Sequence, residues 1–291
     1  MPSSAAKRAS VSLLDAGDGR RLERFGARVV DRPHPGAGAP RRSPGRWRTA
    51  DLRFERPAGW TGRGDLSEPW KVEVAGLVLE LRATEPGGLG LFPEQLQNVT
   101  WLEAQVATAT ERRASSGPPP EVLNLFAHTG LLTLVAARAG ARVVHLDAAR
   151  GSVAWARRNA NLSRLAEQPI RWLVDDGLAF VAREARRGRS YDGIVLDPPS
   201  YGHAGGQAWR LAEDMAELLD ACARIARPDA FVLLTAHTPE FDENRLADAL
   251  WEAFPDGGDR LEAEPLELEA ESGARLSLGA AARLRASANM W

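Results

Sequence analysis

Acidic residues end three short apolar runs in the second half of the chain. These runs end in Asp147, in the pair Asp175 and Asp176, and in Asp197. Carboxylates at strand ends accept hydrogen bonds, and an acid about 20 residues after the first tight turn of a nucleotide-binding sheet accepts them from ribose hydroxyls. Asp147 has this spacing, although an acid before a helix is also a common cap. In the pair, one acid can cap the next helix while the other binds an adenine amino group.

Two prolines follow the third acid in the stretch DPPSYGH. Pro198 and Pro199 donate no backbone hydrogen bonds and cannot continue a strand or a helix. We therefore predict a stiff turn that leaves its carbonyl and carboxylate oxygens free to accept hydrogen bonds from a ligand. Tyr201 and His203 follow closely enough to meet the molecule on which that ligand acts.

A turn with one glycine, NLFAHTG, runs from Asn124 to Gly130. Gly130 permits a close backbone turn, and the helix predicted after it presents free N–H groups to a polar ligand. One glycine does not match the GxGxxG fingerprint, so a dinucleotide is not indicated.

Short apolar strands alternate with amphipathic helices beyond Pro120, which predicts a doubly wound α/β domain with a parallel sheet covered on both faces. Ligands of such sheets lie beyond the carboxyl ends of the strands, where the acids and the glycine turn are placed. The tail, by contrast, predicts two strands joined by Glu271-Ser272-Gly273, an antiparallel hairpin at the sheet edge. The predicted strands are 121–127, 141–147, 170–174, 191–197 and 230–236, and the predicted helices are 130–138, 149–165, 177–187, 207–226 and 240–254.

The front of the chain has a different pattern. Short apolar pieces broken by Asp-Gly and Gly at 12–33 predict antiparallel strands, and 70–82 predicts a hairpin around Ala75-Gly76. A helix is predicted over 94–113 because apolar residues recur there at three- and four-residue spacing. The run 115–120, SSGPPP, ends it.

Taken together, these motifs resemble the class I S-adenosylmethionine-dependent methyltransferases, and within them the large-subunit ribosomal RNA methyltransferases. The resemblance covers roughly residues 70–280. It lies in the segments GLFPEQ (90–95), LNLFAHTG (123–130), ARRNANL (156–162) and DPPSY (197–201), together with the acids at 147 and 176. It implies a Rossmann-like sheet of seven strands with the last strand antiparallel, and S-adenosylmethionine as the cofactor. The expected domains are a basic β-rich segment at 1–92, a linker helix and Pro-rich loop at 93–120, and the methyltransferase domain at 121–291.

The resemblance also implies roles for single residues. Asn124, Phe126 and Gly130 would hold the methionine end of the cofactor, Asp147 the ribose and Asp176 the adenine. Asp197 and Pro198 would face the transferred methyl group. The full set assigned to the cofactor is Gln95, Asn124, Phe126, His128, Thr129, Gly130, Asp147, Asp175 and Asp176, and the full set assigned to catalysis is Asp197, Pro198, Pro199, Tyr201 and His203.

Two departures from the family pattern bear on the acceptor. The family's Asp-Gln-Arg is Glu94-Gln95-Leu96 here, so the arginine contact is missing. Methylation of cytosine carbon 5 needs a cysteine nucleophile, which in the family follows the fifth strand, where this chain has 235–238, Thr-Ala-His-Thr. The one cysteine, Cys222, lies in an apolar helical stretch where we expect it to be buried. Transfer to nitrogen or oxygen is favoured instead.

Histidines at predicted strand ends are candidates to remove a proton from the acceptor. They are His128, His203 and His237, and each is equally well a loop histidine without a role. His145, inside a predicted strand, is expected to be structural.

Positive charge is concentrated at the front, where residues 1–64 contain 14 Lys and Arg against 6 Asp and Glu, while the whole chain has a net charge of −2. This segment is either an RNA-contacting surface or a solvated arginine-rich stretch. Trp47, Trp60 and Trp70 lie in or near it and are candidates for stacking on bases. Trp101, Trp155, Trp172 and Trp251 are expected in the core.

Composition sets the remaining limits. The 291 residues are 44% hydrophobic and 26% charged, with no long apolar run and no apolar secretion signal, so we expect a cytoplasmic protein without a membrane partner. A single cysteine excludes an internal disulfide framework and a cysteine-rich zinc site, and no metal site is assigned. The leading hypothesis is an RNA methyltransferase. The alternatives are a small-molecule N- or O-methyltransferase and a non-catalytic cofactor-binding module, with a monomer and a homodimer both open.

Overall fold

The computed structural model describes residues 10–113, 117–204 and 207–287. The chain divides into two compact units. The first unit runs to Glu94 and includes Glu267–Ser277, and the second comprises Gln95–Leu266 and continues from Leu278. No helix in these described ranges is both long enough and apolar enough to cross a membrane.

The first unit contains a five-stranded sheet in the order β1-β2-β3-β4-β5 and a separate hairpin, β6-β7. Tight turns with positive φ join the strands, as at Asp18-Gly19 and Ala75-Gly76. These turns suit the right-handed twist of antiparallel strands, and both predictions, the strands at 12–33 and the hairpin at 70–82, are confirmed. The strands are β1 Val11–Gly17, β2 Arg20–Phe25, β3 Arg28–Pro33, β4 Leu52–Glu55, β5 Gly59–Gly62, β6 Trp70–Val74 and β7 Leu77–Leu81.

A late segment of the chain completes this unit. Residues 267–277 form the tip between the last two strands, and the backbone N–H groups of Glu271 and Ser272 donate to the carbonyls of Leu13 and Leu14 in β1 (2.9 and 3.3 Å). The Ser272 hydroxyl donates to Asp15 Oδ1 at 2.7 Å. Backbone and side-chain hydrogen bonds therefore tie the tip to the first strand.

The second unit is built on a seven-stranded sheet in the order β10-β9-β8-β11-β14-β16-β15. The pairs among β8, β9, β10, β11 and β14 are parallel, and β16 is antiparallel to β14, which confirms the predicted Rossmann-like α/β sheet. Its strands are β8 Glu121–Leu125, β9 Arg142–Asp147, β10 Ile170–Val174, β11 Tyr191–Leu196, β14 Ala226–Ala236, β15 Leu261–Glu269 and β16 Arg275–Leu284. A two-stranded hairpin consists of β12 Tyr201–Ala204 and β13 Gln207–Arg210.

Six helices accompany the strands among the described residues: α1 Val99–Arg113, α2 Leu131–Arg138, α3 Arg150–Leu162, α4 Gly177–Arg186, α5 Leu211–Ala223 and α6 Glu243–Ala253. From β8 the strand order proceeds outward through β9 to β10, and then returns to β11 on the other side of β8. The order therefore reverses between β8 and β11, where ligands of open α/β sheets bind.

Some boundaries differ from the sequence predictions. The helix predicted over 207–226 begins only at Leu211, because Gln207–Arg210 pairs with β12 as β13. The linker helix starts with a 3₁₀ segment, Pro93–Asn98, before α1. Trp251, expected in the core, is 50% exposed on α6 and was placed wrongly, whereas Trp155 is buried.

Candidate active site

The ends of β8 and β11 lie side by side at the reversal of strand order. Asn124 pairs with Val195 and Leu125 with Leu196 in the parallel register, and Leu196 pairs on its other side with Leu234 of β14. The loop after β8, the Asp-Pro-Pro turn and the segment after β14 therefore leave the sheet as neighbours. This is the sheet edge on which we expected a ligand.

The loop after β8 packs tightly against α3. Phe126, His128 and Gly130 have positive φ angles of 55°, 47° and 90°. A Cβ atom on Gly130 would lie 2.9 Å from the Cβ of Ala156 in α3, so this position requires glycine. Asn159 donates from Nδ2 to the carbonyl of Thr129 at 2.9 Å. Ala156 and Asn159, three residues apart on one helix face, thus hold the loop, a role that the sequence analysis did not assign to them.

Asn124, near the end of β8, bonds to the helix that follows this loop. Its Nδ2 donates to Thr133 Oγ1 at 2.9 Å, and that hydroxyl lies 2.9 Å from His145 Nδ1. The three side chains are buried. The Thr133 hydroxyl has one proton and two lone pairs, so it either donates to His145 Nδ1 or accepts from it, according to the tautomer of the ring. The observed Asn124 bond is therefore directed into the fold, and its predicted contact with the cofactor stays a prediction.

Burial lowers the pKa of His145 to about 3, assisted by the nearby His128 and Arg157. The expectation that His145 is structural agrees with this position. Burial also lowers the pKa of His128, against the attraction of Asp147 and Asp197.

Asp147 joins the β8 loop to the end of β9. Its Oδ2 accepts the N–H of His128 and its Oδ1 accepts the N–H of Ala149, both at 2.8 Å. Each carboxylate oxygen has two lone pairs, so these bonds leave acceptor sites for ribose hydroxyls. The ribose role predicted for Asp147 is compatible with this geometry and stays a prediction.

Asp175 and Asp176 make different contacts within the fold. Asp176 is the N-cap of α4 and accepts the N–H of Ala179 at 2.8 Å. Asp175 forms an ion pair with Arg183 and accepts the N–H of Asp176 at 2.9 Å. The residue that the resemblance assigned to adenine is therefore the helix cap, and adenine binding by either acid stays a prediction. Beside them, Gly177 leaves room for Phe126, whose Cζ would lie 3.1 Å from an added Cβ.

Asp197 is held by two side chains from the end of β14. Its Oδ1 accepts the Thr235 hydroxyl at 2.6 Å and lies 3.0 Å from His237 Nε2, while His237 Nδ1 lies 2.8 Å from the carbonyl oxygen of Leu278. Burial raises the pKa of Asp197, but the charge of His237 and the bonds from His237 and Thr235 outweigh it, so the pKa lies below its usual range. Asp197 is therefore a fixed, ionised carboxylate.

The turn after Asp197 is closed by the hairpin β12-β13. Trp209 Nε1 donates to the carbonyl of Pro199 at 2.7 Å, and the Trp209 ring lies 5.3 Å from the ring of Phe126. The prediction that the turn's carbonyl oxygens stay free is therefore wrong for Pro199, since its carbonyl oxygen accepts the indole N–H of Trp209. Tyr201 is 55% exposed, and the side chain of His203 lies outside the described part of the structure.

Gln95 lies behind Asp197. It is buried, and its Nε2 donates to Thr235 Oγ1 at 3.0 Å. Gln95 therefore contacts Thr235, the residue that donates to Asp197. Its predicted contact with the cofactor stays a prediction. Sequence reasoning did not single out Thr235 as a site residue, although its place at the end of the fifth parallel strand was a usable signal.

Cys222 is fully buried in α5, and burial raises the pKa of its thiol. The expectation of a buried cysteine is confirmed. A buried thiol with a raised pKa is a poor nucleophile.

The three tryptophans considered for stacking on bases form hydrogen bonds within the first unit. Their indole N–H groups donate to Asp15 (Trp47, 2.8 Å), the Thr84 carbonyl (Trp60, 2.6 Å) and the Phe25 carbonyl (Trp70, 3.1 Å). Trp47 is buried, so its proposed stacking on bases is wrong. Acids also pair with many of the arginines here, as in Arg20–Asp31, Arg32–Glu23 and Arg46–Glu271.

Comparisons with known proteins agree with this geometry. A family model described as S-adenosylmethionine-dependent methyltransferase matches residues 36–256. A solved S-adenosylmethionine-dependent methyltransferase from Agrobacterium tumefaciens is similar at 33% identity and a TM-score of 0.88, over 95% of this chain and 90% of that one. A methyltransferase complexed with SAH shares the fold, at 16% identity and a TM-score of 0.71, over 95% of this chain and 76% of that one.

Curated relatives with lower coverage are ribosomal RNA large subunit methyltransferases. The K/L enzyme of Magnetococcus marinus is 27% identical over 59% of this chain and 23% of its own length. The I enzyme of Tolumonas auensis is 32% identical over 35% of this chain and 23% of its own length. The alignments thus span about a quarter of the length of these two relatives.

The residues at the sheet edge fit an S-adenosylmethionine molecule. Gly130 lets the β8 loop turn tightly against α3, and the first turn of α2 that follows has N–H groups without partners inside the helix. Asp147 stands at the end of the neighbouring strand with acceptor capacity for ribose, and ionised Asp197 stands across the strand reversal.

Proposed function

Because the chain belongs to the S-adenosylmethionine-dependent methyltransferase family, we propose that it methylates a base nitrogen of ribosomal RNA. The observation that supports transfer is the ionised Asp197, fixed at the strand reversal beside the cofactor loop. The ribosomal RNA acceptor is supported by the large subunit methyltransferases among the relatives. Such an acceptor places the protein with ribosomes, in the cytoplasm.

Bound S-adenosylmethionine supplies an electrophilic methyl group, so the chain itself has to orient the acceptor and exclude water. An ionised carboxylate accepts hydrogen bonds only, so Asp197 would accept an N–H of the base and align the nitrogen lone pair. Tyr201, exposed on β12 three residues after Pro198, is placed to contact the base.

Nitrogen is favoured over cytosine carbon 5 because the latter requires a thiolate that adds to the ring. The chain has one cysteine, and it is buried in α5 with a raised pKa. The segment after β14 presents His237 to Asp197 and contains no thiol.

A small-molecule acceptor is the second candidate. It is favoured by the burial of Trp47 and by the pairing of arginines with acids in the first unit, both of which reduce the surface available to a polyanion. A non-catalytic binding module is less favoured because the Asp-Pro-Pro turn is intact and its acid is fixed.

The test is transfer of tritium from labelled S-adenosylmethionine to ribosomal RNA purified from a strain that lacks the gene. We expect label in a single nucleotide of the RNA, with binding that weakens steeply as salt rises. Asp197→Asn should lose transfer while calorimetry shows that S-adenosylmethionine still binds. Asp220→Asn, a change of the same type at an exposed site on α5, serves as the matched control. Label confined to small metabolites would refute the RNA acceptor.

A further inference from the structure

Four buried side chains form a continuous path of hydrogen bonds that leads to Asp197. Arg283 on β16 donates from Nε and Nη2 to Asn98 Oδ1 at 3.0 and 2.6 Å. Asn98 Nδ2 donates to Gln95 Oε1 at 2.8 Å. Gln95 Nε2 donates to Thr235 Oγ1 at 3.0 Å, and this hydroxyl lies 2.6 Å from Asp197 Oδ1. We call Arg283, Asn98, Gln95 and Thr235 the donor relay.

Chemistry fixes the direction of every bond in the donor relay. Arginine only donates, so Asn98 must present its oxygen to Arg283 and its nitrogen to Gln95. Gln95 must then present its oxygen to Asn98 and its nitrogen to Thr235. The Thr235 hydroxyl accepts from Gln95 and has one proton, which goes to the carboxylate because the Leu196 carbonyl is more distant, at 3.4 Å. All the bonds thus run from a cation to an anion.

Burial makes this arrangement costly to disturb. Asn98 and Thr235 are completely buried, and Gln95 and Arg283 are 4% and 7% exposed. Buried polar groups require partners, and bonds aligned in one direction polarise one another in a low-dielectric interior. Glu264 neutralises the far side of the Arg283 guanidinium, with Oε1 2.7 Å from Nη1.

His237 approaches the same oxygen from another side. Its Nε2 faces Asp197 Oδ1 and its Nδ1 faces the Leu278 carbonyl, and both of these atoms are acceptors. Both bonds form only when the ring has two protons. His237 is then a donor with no lone pair to take a proton from an acceptor. His128, in the loop after β8, is a further titratable group near Asp197, and its charged form would lower the pKa of Asp197, although burial lowers the pKa of His128 itself.

We propose that the donor relay and His237 position Asp197 by fixing its Oδ1, so that Oδ2 is the oxygen presented to the methyl acceptor. The presentation of Oδ2 to a methyl acceptor rests on the proposed function. The fixing of Oδ1 does not, because it involves no substrate. In this assignment Gln95 positions Asp197 through Thr235, and His237 is a fixed cation instead of a general base.

Carbon-13 NMR of protein labelled at the aspartate carboxyl carbons tests the assignment without any substrate. The Asp197 signal is identified by its disappearance in Asp197→Asn. We expect Thr235→Val and Gln95→Leu each to raise the pKa of Asp197, by about one unit for Thr235→Val, because a donor to the charged form is lost or misplaced. Thr235→Ser, which keeps the hydroxyl, should restore the wild-type titration.

Gln105→Leu is the matched control. Gln105 is a buried glutamine on α1, and it accepts the N–H of Ala286 at 2.8 Å, outside the donor relay. Its replacement should lower stability without moving the Asp197 titration. An unchanged titration in both Thr235→Val and Gln95→Leu, or an equal shift in Gln105→Leu, would overturn the assignment. These shifts without labelled ribosomal RNA would refute the RNA acceptor alone, and labelled RNA without the shifts would refute the donor relay alone.

Discussion

The buried, neutral His145 should make the second unit sensitive to acid. Its pKa is about 3 in the folded protein and about 6.5 in an unfolded chain, because burial disfavours the charged ring and His128 and Arg157 add repulsion. Between these values the unfolded chain binds a proton that the folded chain does not. The stabilising effect is therefore complete above pH 6.5 and is lost as the pH falls toward 3.

The size of the effect follows from the two pKa values. Between pH 7.5 and 5.0, His145 alone should lower the free energy of unfolding by about 2 kcal/mol, and by pH 3 the loss should reach about 4 kcal/mol. His145→Asn keeps an acceptor near Thr133 but does not titrate. We expect this variant to be less stable at pH 7.5, and to lose about 2 kcal/mol less than the wild type on the way to pH 5.0.

The measurement is urea unfolding at steps of pH between 7.5 and 5.0, followed by near-ultraviolet circular dichroism. Trp172→Phe is the control, since Trp172 packs on the His145 ring with centroids 4.8 Å apart and has no titratable group in this range. It should lower stability equally at every pH. If wild type and His145→Asn lose stability in parallel, the assignment of a neutral, proton-excluding His145 is refuted.

Other substitutions test the cofactor loop, the acid pair and the cysteine. Gly130→Ala should destabilise the protein by about 1–2 kcal/mol or more and weaken S-adenosylmethionine binding in calorimetry, because φ is 90° and the new Cβ would lie 2.9 Å from Ala156; unchanged binding would contradict the role of the loop. Asp176→Ala should cost about 1 kcal/mol through loss of the α4 cap, whereas Asp176→Ser should keep stability and lose cofactor affinity only if the acid also binds adenine. Cys222→Ala should keep full transfer activity per folded molecule, and its inactivation would restore the carbon-5 mechanism.

The sheet and the positions of its strand ends could be predicted because they depend on local patterns. Alternating apolar strands and amphipathic helices indicate parallel crossovers, and acids at strand ends fall on one edge whatever the details of packing. Asp197 and Gly130 were identified for this reason. The hairpin of β12 and β13 was missed because its four-residue strands are too short to show a period, so Gln207–Arg210 was merged with α5.

Hydrogen-bond partners could not be predicted in the same way. Gln95 and Thr235 are 140 positions apart in the chain, and Asn98 and Arg283 are 185 apart. A polar side chain next to a motif has no local signal that tells whether it faces a ligand or a buried partner. Asn124 and Gln95 were therefore assigned to the cofactor, whereas their observed bonds go to Thr133 of α2 and to Thr235 beside Asp197.

The hairpin tip at 267–277 has a consequence for biosynthesis. The carbonyls of Leu13 and Leu14 find partners in Glu271 and Ser272, which leave the ribosome some 250 residues later than β1. The first unit thus cannot reach its final hydrogen bonding before the tip has been synthesised, even though most of its residues emerge first. An isolated fragment ending at Glu94 would expose this part of β1, and exposed strand edges recruit other chains. The first unit therefore cannot complete its hydrogen bonding in the order of synthesis, because β1 finds these partners only after residues 95–266 have been made.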